Sequence, residues 1–254
     1  YFSVGFQFAA ISLLATTSML QIFWKEIAEA HAHDDLQRVA FLYQRVSRSL
    51  FMVAASVSGF LMPWSEEITR FFLGPAYVGG AVVLAIMFLY PIHQTVGQIN
   101  GTMSFAIGST KPQAIIQMVG MMLSIPLTYF VQASPEAAIP GLSLGAIGLA
   151  AKMVLLQLFI SNAMAWWIAR SLGWEFSLRY QVIGMGAALV LGWLACEVAI
   201  SLTSFASAHV VSGFVLAAVI YLVFMCVLFW VFPSVLGFTR EELLGLRTLF
   251  SSFR

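Results

Sequence analysis

Apolar residues in this chain come in long runs rather than in the alternating or every-third-or-fourth patterns of elements that turn one face to water. Seven runs are long enough to cross a bilayer core, which is about 30 Å thick and needs about 20 helical residues. They lie at 1–24, 45–64, 81–108, 113–131, 141–168, 181–203 and 210–232, and the first and last contain no charged side chain. The spacers are short, which predicts that consecutive helices pack as antiparallel neighbours. The exception is 25–44. There Trp24, Ile27, Ala28, Leu36, Val39, Ala40 and Tyr43 keep to one side at helical spacing. The stretch reads either as flanking spans that extend beyond the membrane or as an amphipathic helix on its surface. Pro91 and Pro126 fall inside spans, where neighbouring helices satisfy the freed carbonyls. Pro112 falls at a first turn, where its missing N–H costs little. The pattern predicts an all-α polytopic membrane bundle of about seven transmembrane helices spanning 1–254, with a tail at 233–254.

Composition narrows the class. The chain is 61% apolar and 9% charged, against about 25% charged in soluble domains. That excludes a soluble enzyme or a disordered segment, and a net charge of +1 supplies no field for nucleic acid. Lys25, Arg38, Arg45, Arg48, Lys111, Arg170, Arg179, Arg240, Arg247 and Arg254 fall on one side if the spans alternate. The opposite loops hold Arg70, beside Glu66 and Glu67, and Glu136. This bias predicts a cytoplasmic C-terminus and an outer residue 1. Trp24, Trp166, Trp167, Trp174 and Trp230 near the cytoplasmic ends, with Trp64 and Tyr77 near the outer ends, make matching interfacial belts. The chain opens on Tyr1 in an apolar run with no basic segment before it. It is therefore not a signal peptide, and it reads as the C-terminal part of a longer protein. Cys196 and Cys226 have no metal or disulfide spacing and read as apolar packing residues.

Polar groups at membrane depth are the functional candidates, because a charge there costs about 2.5–3.5 kcal/mol on insertion scales. Lys152 and Glu197 are the two clear cases. Counting at 1.5 Å per residue places them about 5 Å and about 8 Å to the outer side of their midpoints. An ion pair between adjacent helices follows. Either it pins the helices together, or Lys152 faces a cavity and meets an anionic substrate while Glu197 relays a proton or cation. In the span at 81–108, His93, Gly97, Asn100 and Ser104 share a stripe with Gln94, Gln98 and Gly101 beside it. This stripe reads as interhelical glue or as cavity lining, with Gly97 and Gly101 allowing close packing. Gln157 and Asn162 pose the same choice. Arg38, Arg45 and Arg48 form a cytoplasmic basic rim, read as positive-inside anchoring or as capture of a lipid diphosphate. His31, His33, Asp34 and Asp35 read as a solvated turn rather than a metal site. The chain has no GxxxxGK[ST], HExxH or GxSxG, and no aspartate inside any span. No catalytic constellation, metal site or cofactor is predicted.

Four segments carry a family resemblance. Tyr1-Phe2-Ser3-Val4 looks like a "G-x-Y-S-x-A" helix start. Arg45-Val46-Ser47-Arg48 is similar to a "Y-x-x-x-x-R" helix entry. Phe71-Phe72-Leu73-Gly74-Pro75-Ala76-Tyr77 looks like "L-F-G-x-x-Y". Residues 142–151, LSLGAIGLAA, are similar to "x-x-x-G-x-x-G-A-A". In this order and spacing, covering most of residues 1–170, they resemble the C-terminal part of polysaccharide flippases of the multidrug/oligosaccharidyl-lipid/polysaccharide exporter superfamily. The resemblance implies two pseudo-symmetric helical halves around a central, often cationic, cavity. It also implies translocation of an undecaprenyl-diphosphate-linked oligosaccharide across the bacterial inner membrane, with the preceding half of the same protein as partner. Lys152 departs from the family pattern and Glu197 has no counterpart in it, so neither inherits a family role. The available cavity candidates are His93, Gln94, Gln98, Asn100, Gln157 and Lys152. A cation-coupled drug antiporter of the same superfamily is the rival reading, and a membrane-embedded glycosyl- or acyltransferase is the rival from another class.

Overall fold

The runs become helices with turns where the sequence breaks them. The computed structural model describes residues 14–205 and 210–236, with side chains over 23–203 and 210–234. The opening of the first expected span and the tail arginines Arg240, Arg247 and Arg254 lie outside the described residues. Helix α1 (Leu14–Ala32) is followed after a tight turn by α2 (Leu36–Leu61). A one-turn 3-10 segment leads into α3 (Ser65–Leu73), and a second, Pro75–Gly80, leads into α4 (Ala81–Met87). Then come α5 (Tyr90–Ala106), α6 (Thr110–Gln132), α7 (Gly145–Ser171), α8 (Arg179–Phe205) and α9 (Val210–Val231). No strand occurs among the described residues, and six segments are long and apolar enough to cross a membrane. The chain is a polytopic membrane helix bundle.

The long 25–44 connection is resolved as two extended helices. Asp34 takes φ 54° in the turn, and the Asp35 carboxylate caps α2 by accepting from the Arg38 amide at 3.0 Å. The span expected at 81–108 is split at Phe88–Leu89 into α4 and α5. Pro91 cannot donate to the carbonyl four residues back, and its ring crowds that carbonyl. Before α7, the chain folds back along α6. The amides of Leu142, Ser143 and Leu144 donate to the carbonyls of Phe130, Ala133 and Val131. These bonds satisfy the open end of α6. Gly141 is required there, because a Cβ would lie 2.5 Å from the Ala133 carbonyl oxygen.

Packing follows small residues. Helix α8 packs on α2 and α9, and a Cβ on Gly192 would lie 2.0 Å from the Gly59 carbonyl oxygen. Without a hydrophobic drive between helices in lipid, such close backbone contact is what holds them. Helix α5 lies against α1, α2 and α7, and α6 packs on α7. Neighbours in sequence are not all neighbours in space. Helices α5 and α6 meet only around their turn, and the bodies of α7 and α8 do not pack together. The outer surface is apolar: on α6, Met121 is 73% and Ile125 75% exposed. Such a surface belongs in hydrocarbon rather than water. Trp24, Trp166, Trp167 and Trp230 are exposed, whereas Trp64 is buried against Phe214 instead of standing in a belt. Cys196 is buried and Cys226 is exposed, so only the first is a packing residue.

Candidate functional site

Because α5 and α6 splay apart from their turn while both keep to α7, a cleft opens between them. Its volume is about 590 Å³, and Gln94, Gly97, Gln98, Gly101 and Thr102 of α5, Gln113 and Gln117 of α6 and Gln157 of α7 line it, with Tyr90 and Phe105. Five glutamines and no charged side chain line this space. Tyr90 donates to the Gln94 carboxamide oxygen at 3.2 Å. Gln117 reaches the Met164 sulfur at 3.6 Å. The Gln113 Oε1 atom is buried with no hydrogen-bond partner. Gly97 and Gly101 let neighbouring helices come close, α7 at Gly97 through Gln157 and Ser161, and α6 at Gly101 through Gln113. A Cβ at 97 would lie 2.8 Å from Gln157 Nε2, and one at 101 would lie 3.1 Å from Gln113 Nε2. The two glycines give two amides room to lie against α5.

The stripe predicted on α5 is divided between two tasks. Gln94 and Gln98 line the cleft, but His93, Asn100 and Ser104 face inward and are buried. Asn100 accepts from the Tyr43 hydroxyl at 2.7 Å and donates to the Ser161 carbonyl at 2.7 Å. This ties α2, α5 and α7 together. His93 stacks toward Phe51, ring centroids 6.4 Å apart. Asn162 accepts from Gln181 at 2.8 Å and so joins α7 to α8 near their loop. Asn100 and Asn162 are glue, His93 is buried with no hydrogen-bond partner for its Nδ1, and Gln157 is lining.

Lys152 and Glu197 do not form the expected ion pair. The Lys152 ammonium donates to Ser124 Oγ at 2.9 Å and to Thr128 Oγ1 at 3.0 Å on α6. Among the described residues it meets no carboxylate, and it is not part of the cleft lining. Glu197 is exposed on α8. The bodies of α7 and α8 do not pack together, so a shared depth along two sequence-adjacent spans is not enough to bring the charges together. The arginine rim is likewise dispersed. Arg38 pairs with Glu26 at 2.9 Å, Arg45 lies over the Phe41 ring, and Arg48 lies over Tyr180 and donates to the Ser234 carbonyl at 3.4 Å.

One pattern was missed. Gln113, Gln117, Gly120, Ser124 and Thr128 recur at spacings of four and three on α6, which is one helical face. That face meets α7: the two glutamines line the cleft, a Cβ on Gly120 would crowd Ile160, and the two hydroxyls hold Lys152. Helical periodicity of small and polar residues inside an apolar run was the signal available. No protein-family model, curated protein or solved structure matches this chain.

Proposed function

We propose that this bundle belongs to a bacterial inner-membrane flippase that moves a lipid-diphosphate-linked oligosaccharide between leaflets for surface polysaccharide synthesis. The observation that supports the reading is the five-glutamine cleft on the helices of a membrane bundle. Polar cargo without partners in hydrocarbon costs several kcal/mol per group. Each carboxamide offers two N–H donors and one carbonyl acceptor, which suits the hydroxyls of sugars. The volume lies in the range of specific small-molecule sites. On this reading the preceding half of the protein closes the open side of the cleft, and rocking between the halves gives alternating access. The Lys- and Arg-rich helix ends face the cytoplasm, as does the C-terminus.

The antiporter reading finds less support, because Glu197 lies outside the cleft. For a transferase, the cleft presents amides, the hydroxyls of Tyr90 and Thr102 and aromatic rings, with no carboxylate, imidazole or thiol in its lining to activate them. The test is translocation by the full-length protein in proteoliposomes, read as exposure of a lipid-diphosphate oligosaccharide to a lectin. Wild-type protein exposes the glycan, and Gln98→Leu with Gln157→Leu slows exposure at least tenfold at equal abundance. Exposure no faster than in protein-free vesicles contradicts the proposal.

A further inference from the structure

We infer that the cleft between α5, α6 and α7 is a subsite for uncharged sugar residues and selects against acidic glycans. The inference rests on the flippase reading and adds the class of cargo. Gln113 and Gln157 carry it. Neither side-chain amide has a hydrogen-bond partner among the described residues, and Gln113 Oε1 is buried. A buried acceptor without a donor is costly until a ligand supplies one. A sugar hydroxyl supplies it once the carboxamide turns toward the cleft, and accepts in turn from the neighbouring amide N–H. A carboxylate cannot donate to Gln113 Oε1, and it would enter a lining with no cation to balance it. Burying an unpaired charge is several-fold more expensive than burying a hydroxyl.

The nearest intramembrane cation is withheld from the cleft. Lys152 lies five residues from Gln157, about 7.5 Å along α7, and its ammonium is engaged by Ser124 and Thr128. The aromatic lining fits the same cargo. Tyr90 and Phe105 stand near opposite ends of α5, about 22 Å apart along the axis, and rings of this kind pack against the apolar faces of sugars. The glycines at 97 and 101 complete the arrangement, since side chains there would displace the two amides from their places against α5.

Two arms test this with the full-length protein. In proteoliposomes, two lipid-diphosphate tetrasaccharides are compared, one of neutral hexoses and one with a uronic acid at a single position. In nanodiscs, direct binding of the two free tetrasaccharides is measured. The neutral glycan is flipped and bound at least tenfold better, a difference of about 1.4 kcal/mol. Gln113→Leu and the near-isosteric Gln113→Glu each weaken neutral binding threefold or more, and Gln157→Lys shifts preference toward the acidic glycan. Equal flipping of both glycans overturns the selectivity and leaves the flippase reading intact. If neither is flipped, the flippase reading fails and the nanodisc arm decides the subsite. Neutral binding that Gln113→Leu leaves unchanged, or no neutral binding, overturns it.

Discussion

Lys152 places a cation at membrane depth with two hydroxyls, and no carboxylate among the described residues, for company. Removing the lysine and removing its hydroxyls therefore have unequal consequences. Lys152→Met forfeits two hydrogen bonds to a charged donor, about 1.5–3 kcal/mol each. It also relieves the cost of holding a charge in the membrane, about 2.5–3.5 kcal/mol, and Thr128 keeps its bond to the Ser124 carbonyl at 2.7 Å. The net loss is about 1 kcal/mol. Ser124→Ala with Thr128→Val instead strands the ammonium, at a cost of about 3 kcal/mol. For a chain of this size that is roughly 6–12 °C in Tm. Combining all three substitutions returns stability to that of Lys152→Met, a coupling of about 3 kcal/mol. Thermal unfolding of detergent-purified protein, followed by size-exclusion chromatography, measures each corner of the cycle. Additive losses, or a lysine variant less stable than the hydroxyl variant, refute the account. Glu197→Gln leaves every corner unchanged if the two charges are independent.

At the α2–α8 crossing, Gly192→Val drives a side chain into the Gly59 backbone and lowers folded yield sharply, an overpacking cost of more than about 3 kcal/mol. Gly186→Ala meets nothing within 4 Å and is neutral or slightly stabilising in the same yield and melting assays. Asn100→Leu leaves the buried Tyr43 hydroxyl without its acceptor and costs about 1–3 kcal/mol, which Tyr43→Phe in the same chain partly restores. Arg38→Ala changes Tm by less than about 1 °C, because Arg38 and Glu26 are 48% and 44% exposed.

The helices themselves were legible because hydropathy over about 20 residues reports a bilayer directly. The turn at His33–Asp35 follows from backbone chemistry, whereas Pro91, expected to be tolerated inside one span, instead divides it. The lateral order of the helices was not legible, and the errors trace to it. Short loops suggested that α7 and α8 pack together, but the small stripe of α8 (Ala188, Gly192, Ala195) prefers α2 and α9. That preference separates Lys152 from Glu197. On α5, the 100° rule placed His93, Gln98 and Asn100 in one polar region, and only the position of α7 and α2 decides that Asn100 is sealed and Gln98 open. The polar face of α6 was readable in principle. It was overlooked because the Met, Ile, Leu and Val residues of the run outweigh its glutamines, serine and threonine in mean hydropathy.

The central claim is a polar cleft open to aqueous solutes on the side of a lipid-facing bundle, and cysteine accessibility tests it most directly. In full-length protein with Cys196 and Cys226 replaced by alanine, single cysteines are placed at Gln98, Gln117 and Gln157 and at the outward-facing Met121 and Ile125 of α6. A small hydrophilic thiol reagent applied to intact membranes labels the three cleft positions rapidly and leaves 121 and 125 unlabelled. Uniform labelling of all five, or protection of the cleft positions equal to that of 121 and 125, contradicts the account.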